Sequence, residues 1–150
     1  MKEHHLGRDN GIGFFVVGKK STRQNGATRF VPGSHLWDYH LPPPSEEHTF
    51  YAELEPGDGF MVLSGCYHGG SANTTENEER LLYSTFTTRG YLRQEENQYL
   101  ANEVKAIKDL PLDLQKFAGY ELSKPFMGWV DMASPWNWLH PDMKVTGDLW

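Results

Sequence analysis

Glycine and proline punctuation cuts the chain before Gly90 into apolar runs too short for helices. Ile12 to Val17 lies between Gly11 and Gly18 and reads as a buried strand. The polar loop KKSTRQNG then ends in Asn25-Gly26, a strong turn dipeptide. A second strand, ATRFV, stops at Pro32-Gly33. Ser34 to His48 holds Pro42, Pro43 and Pro44 and reads as an excursion loop. Phe50 to Leu54 is a strand, Glu55 to Gly59 a turn, and Phe60 to Leu63 a strand. That strand runs directly into Ser64-Gly65-Cys66-Tyr67-His68-Gly69-Gly70. Arg80 to Thr88 alternates well enough for a further strand.

Past Gly90 the pattern changes. Gln94 to Lys108 lacks turn residues and carries Leu100, Val104 and Ile107 at helical spacing. A short helix fits Leu112 to Phe117, entered through Pro111 and left at Gly119. From Lys124 the chain shows little periodicity. Strands followed by helices predict a mainly β fold, a sandwich or jelly roll, with C-terminal helices. The expected layout is a single domain, residues 1–150, with strands over 12–90, a helical segment over 94–118 and an extended Trp-rich tail over 124–150.

Composition narrows the function classes. The net charge of −6, with no basic stripe, argues against a nucleic-acid partner. No run is long enough to span a bilayer, and the first residues carry no apolar signal core. Cys66 is the single cysteine, so no internal disulfide forms, and an intracellular, cytoplasmic setting is expected.

The residue with the sharpest chemistry is His68, just past an apolar strand in a glycine-bounded loop. Strand ends hold a metal-ligating histidine rigidly, yet a single histidine makes no metal site. Arg80 opens the next strand. If the two strands pair antiparallel, its guanidinium enters the same cavity and suits a dicarboxylate, which the planar fork binds with two parallel hydrogen bonds. The competing reading is a solvated charge cluster with Glu78 and Glu79. Thr28 can place a hydroxyl nearby, although nothing local demands it.

Three blocks carry a resemblance: NGATRFVPGSHLWD, EPGDGFMVLSGCYHGGSANTT with the following Arg80, and YLRQEENQYLA. Together they resemble the phytanoyl-CoA dioxygenase family of non-haem Fe(II)/2-oxoglutarate oxygenases, and most closely its fungal meroterpenoid branch. The resemblance covers roughly residues 12–130. It implies a double-stranded β-helix, with His68 at the distal iron-ligand position. It also implies that Arg80 binds the 2-oxoglutarate carboxylate and that Thr28 contacts the co-substrate.

The first histidine and the carboxylate of such a site come as His-x-Asp on a strand before the NGAT block. His4, His5 and Asp9 never give that spacing, and His35 stands three residues before Asp38. The literal match, His140-Pro141-Asp142, falls in the tail, where its proline suits a turn better than a barrel strand. The expectation is therefore an incomplete β-helix with no complete catalytic set. By resemblance the chain begins a few tens of residues late, although its opening Met favours a native start. Such a chain reads as a non-catalytic subunit of a heterodimer. A full-length catalytic partner would bind Fe(II), 2-oxoglutarate and a polycyclic terpenoid-type substrate. Tryptophan is enriched in interface hot spots, so Phe126, Trp129, Trp136 and Trp138 are the expected partner contacts. Two other readings stand: a fragment of a self-sufficient hydroxylase or desaturase using His68 and Arg80, and an iron-free small-molecule binding protein.

Overall fold

The computed structural model describes residues 9–37, 45–92 and 94–143. The three prolines of the excursion loop and Trp150 lie outside the described residues. The chain divides into two compact units, Met1–Thr87 and Thr88–Trp150.

The first unit is built from β1 (Gly11–Val17), β2 (Arg29–Phe30), β3 (Phe50–Tyr51), β4 (Gly59–Leu63), β5 (His68–Gly69) and β6 (Leu82–Thr88). They form two three-stranded sheets, ordered β4-β1-β6 and β3-β2-β5. β1 pairs antiparallel with β4, Phe14 opposite Met61 and Phe15 opposite Phe60. Successive strand side chains face opposite ways. Phe15 and Val17 are accordingly buried, while Ile12 and Phe14 are exposed. The strand expected to be buried is thus buried on one face only. On that face Phe15 stacks on Phe60 at 4.7 Å and meets Phe86 edge-on at 5.6 Å.

The Asn25-Gly26 turn is fixed by more than propensity. The Asn25 side chain accepts from the Thr22 amide at 2.8 Å and donates to the Lys20 carbonyl at 2.9 Å. Gly26 has φ of 93°, and a Cβ there would lie 2.8 Å from the Ser71 carbonyl oxygen. Only glycine meets both conditions.

The second unit contains α1 (Gln98–Ala101), α2 (Val104–Lys108), α3 (Leu112–Phe117) and α4 (Pro135–Leu139). The single helix expected over Gln94 to Lys108 is two helices. Asn102 explains the break: its side-chain amide donates to the Gln98 carbonyl at 3.0 Å. That carbonyl would otherwise accept the Asn102 backbone N–H. Leu100 is 85 % exposed, so the supposed apolar face is not continuous. α3 matches its expected bounds, and its buried position is polar. Gln115 is inaccessible while Leu114 and Phe117 are exposed.

The tail is not wholly extended. Ser134 caps α4 by accepting from the Trp136 amide, with Pro135 at the first helical position. Leu139 is fully buried and joins Ile107 and Tyr120 in the core of this unit. No helix among the described residues is long and apolar enough to cross a membrane.

Candidate functional site

The second sheet brings the sequence-selected residues together. β2 lies between β3 and β5, with Phe30 opposite His68 and Arg29 opposite Gly69. The ladder continues one step further, as the Ala52 amide donates to the Thr28 carbonyl at 2.8 Å. Directly opposed residues in an antiparallel pair share a face, as do residues two apart along a strand. Register therefore puts His68, Phe30 and Thr28 on one face.

Arg80 reaches the same place by another route. Its Nη1 donates to the Thr28 hydroxyl at 2.9 Å, and Thr28 is buried. The antiparallel pairing of the His68 and Arg80 strands, the condition for a shared cavity, does not form. β5 belongs to one sheet and β6, which Arg80 precedes, to the other. The solvated-cluster reading also fails. Glu79 pairs with Lys19 at 2.7 Å, and Arg80 turns inward from it. The Lys19 ammonium holds the Glu79 carboxyl below its usual range.

His68 is exposed, with one nitrogen already assigned. Nδ1 lies 2.8 Å from the Cys66 carbonyl oxygen, which can only accept. The neutral ring therefore carries its proton on Nδ1 and leaves the Nε2 lone pair available. That is the arrangement a metal-ligating histidine adopts when its other nitrogen is held by a carbonyl.

The loop behind His68 is clamped by a residue that sequence reasoning missed. Ser34 is fully buried, and its Oγ accepts from the Tyr67 amide at 2.8 Å. The same hydroxyl donates to Cys66 Sγ at 3.4 Å, and that thiol donates to the Val31 carbonyl at 3.3 Å. The Val31 amide donates in turn to the Tyr67 carbonyl at 2.9 Å. The available signal was a serine immediately after Pro32-Gly33, at the start of a one-turn 3-10 helix whose cap, Gly33, has φ of 77°.

The His140-Pro141-Asp142 triplet has a structural role. Gln115 Nε2 donates to the Leu110 carbonyl at 2.7 Å and the Lys108 carbonyl at 3.3 Å. Its Oε1 therefore faces His140 Nε2, 2.6 Å away, and that nitrogen must donate. Pro141 and Asp142 form a 3-10 turn. This nitrogen is committed to its own unit, which contradicts a ligand role through it.

The aromatic set divides. Trp136 is buried in its own unit, its ring 4.4 Å from that of His140. Trp138 packs on Tyr99 and Tyr120 yet stays 45 % exposed. Trp129 donates from Nε1 to the Phe126 carbonyl at 2.7 Å, and the Phe126 side chain is exposed.

The family model described as phytanoyl-CoA dioxygenase matches residues 3–81, which include Thr28, His68 and Arg80. The chain belongs to the phytanoyl-CoA dioxygenase family. It is 43 % identical to dioxygenase cnsJ of Penicillium expansum over 148 residues, 97 % of this chain and 44 % of that protein. It is 44 % identical to dioxygenase himG of Aspergillus japonicus, over 89 % of this chain and 44 % of that protein. Dioxygenase peniF of Penicillium patulum is 39 % identical over 89 % of this chain and 43 % of its own length. The chain thus spans under half the length of these curated relatives.

Membership in the phytanoyl-CoA dioxygenase family implies a jelly-roll fold, with which the small antiparallel sheets agree. Family members usually use Fe(II) and 2-oxoglutarate. The donor set fits half of that requirement. Arg80 with Thr28 supplies a guanidinium and a hydroxyl on one face, suited to a carboxylate. For iron there is a single oriented imidazole, and no group of three His, Cys, Asp or Glu stands together among the described residues.

Proposed function

We propose that this chain carries the distal half of an Fe(II)/2-oxoglutarate oxygenase site and is not catalytic by itself. The observation that carries this reading is the Arg80–Thr28 hydrogen bond on the face that also presents His68. Arg80 suits the co-substrate carboxylate, the Thr28 hydroxyl orients the guanidinium, and His68 offers Nε2 as one ligand. The substrate is a polycyclic terpenoid-type metabolite of fungal secondary metabolism.

In the first form another, full-length polypeptide carries the complete triad itself, and His68, Arg80 and Thr28 of this chain are vestigial. The chain is then a pseudo-oxygenase subunit that stabilises a catalytic partner and shapes its substrate entrance. Exposed apolar side chains favour this form: Phe50, Met61 and Phe86 on the sheets, Phe126 and Trp138 in the tail. Large apolar side chains left exposed are available to a partner surface.

In the second form a segment bearing His-x-Asp belongs to the same, longer polypeptide, a self-sufficient hydroxylase or desaturase. The relatives' length, more than twice this chain, favours it. So does a half-site that keeps its hydrogen bonds intact.

The coding sequence upstream of Met1, read in frame, separates the two. A His-x-Asp strand there removes the subunit form. Without one, the chain is co-purified with a full-length family oxygenase and His68→Ala is assayed. Activity retained in an assembled complex supports the subunit form. Loss of activity with assembly intact shows that His68 takes part in the chemistry.

A further inference from the structure

The rear of the β3-β2-β5 sheet carries a second set of groups that the oxygenase reading does not use. Arg29 stands opposite both Tyr51 and Gly69, so its side chain and that of Tyr51 share the face away from His68. The Arg23 guanidinium lies over the Tyr51 ring, 4.7 Å from its centroid. A cleft of about 440 Å³ opens here, lined by Arg23, Arg29, Tyr51, Glu46, Ser71 and Thr74 among others. A Cβ built at Gly69 or Gly70 would meet nothing within 4 Å, so the floor lies open.

We propose that this cleft binds a small oxyanion, a carboxylate or phosphate group, between Arg23 and Arg29. Three observations carry the assignment. Stacking on Tyr51 holds the Arg23 guanidinium by its face and leaves its in-plane donors for a ligand. Arg29 meets Glu46 at 3.7 Å, with both side chains well exposed. That is longer than the 2.7–2.9 Å of a charge-assisted bond, so Arg29 is not saturated. Ser71 lines the cleft, and its Oγ, shielded from solvent, has no hydrogen-bond partner among the described residues, so a side-chain rotation toward a ligand breaks no existing bond. Buried hydroxyls are normally satisfied, and an orphan calls for a ligand or water.

The remaining polar groups define the size of the ligand. Thr74 is engaged, its hydroxyl donating to the Gln24 carbonyl at 3.0 Å. The Glu53 carboxylate is also nearby, accepting from the Arg23 backbone N–H at 2.8 Å. Glu46 and Glu53 repel an extended polyanion and leave room for one compact anionic group. The site lies on the opposite face from His68 and stands independently of the oxygenase reading.

Calorimetry of the 150-residue chain at low salt, with inorganic phosphate and separately with acetate, tests this proposal. Saturable binding of one of them at about millimolar or tighter is expected. The stronger of the two identifies the anion class. Arg23→Ala and Arg29→Ala each weaken binding roughly tenfold, as for loss of a hydrogen bond to a charged group. Both positions are exposed, and circular dichroism confirms that the variants stay folded. Ser71→Ala weakens binding a few-fold, and Arg80→Ala leaves it in place. The proposal is overturned if neither anion binds saturably at about ten times that concentration. It is also overturned if both arginine variants bind as tightly as the parent, or if Arg80→Ala abolishes binding, which would assign the anion to the His68 face.

Discussion

The Arg80 guanidinium donates to the Thr28 hydroxyl at 2.9 Å across 52 positions of sequence. This bond ties the segment leading into β6 to the centre of the other sheet, on the face that presents His68. Thr28→Val keeps the shape and removes the acceptor. A buried donor left without its partner costs about 1–3 kcal/mol. Urea denaturation is expected to show a lower midpoint with an unchanged slope. An unchanged midpoint would show that Arg80 has no need of Thr28.

Ser34→Ala is expected to destabilise the first unit by about 1–3 kcal/mol, because the Tyr67 amide loses its acceptor and Cys66 loses a donor. Amide exchange at Tyr67 and His68 should accelerate more than exchange in β1 and β4. Uniform acceleration would mean that Ser34 does not act on the His68 loop in particular.

Gly26→Ala combines a left-handed backbone with a Cβ placed 2.8 Å from the Ser71 carbonyl. A strained φ alone costs about 1–3 kcal/mol, and the contact adds to it. A thermal melt that falls by less than about 2 °C would contradict the assignment.

Much of the first unit was legible because its strands are bounded by residues with one conformational use. Gly11, Gly18 and Gly59 bracket the β1–β4 pair, and Asn25-Gly26 forms the turn it signals. Thr28, His68 and Arg80 were selected from sequence, and the first two do share a face with the Arg80 contact. The route was not legible. Arg80 arrives from a different sheet, and strand partnership depends on long-range register that local pattern does not encode. Ser34 was missed because a serine after Pro-Gly is explained by turn chemistry alone. The second unit was read least well. Its helices are set by polar groups, the buried Gln115 and the half-buried Asn102, that override apolar periodicity. Trp136 was read as a partner contact, and its own unit buries it.

The Tyr120 phenol is nearly inaccessible, and burial pushes its pKa above the ordinary 10.0. Its neutral form is the one the fold favours. The resulting stability is fully present below the unfolded value and is lost as pH rises through the folded one. Unfolding of the second unit should therefore steepen above about pH 10. Tyr120→Phe removes part of that dependence and also the 2.9 Å bond to the Gln98 carbonyl, about 1 kcal/mol at neutral pH. Identical alkaline profiles for the two proteins would contradict the assignment.

The central claim is that this chain holds half of an oxygenase site and is not catalytic by itself. Oxygen-dependent turnover of 2-oxoglutarate to succinate, with Fe(II) supplied, measures it most directly. The isolated 150-residue chain is expected to show none above a no-protein control, and turnover is expected once the chain is assembled with a His-x-Asp-bearing partner or joined to a His-x-Asp segment. Turnover by the isolated chain, abolished by His68→Ala, would contradict the claim and show that a complete site lies within these residues.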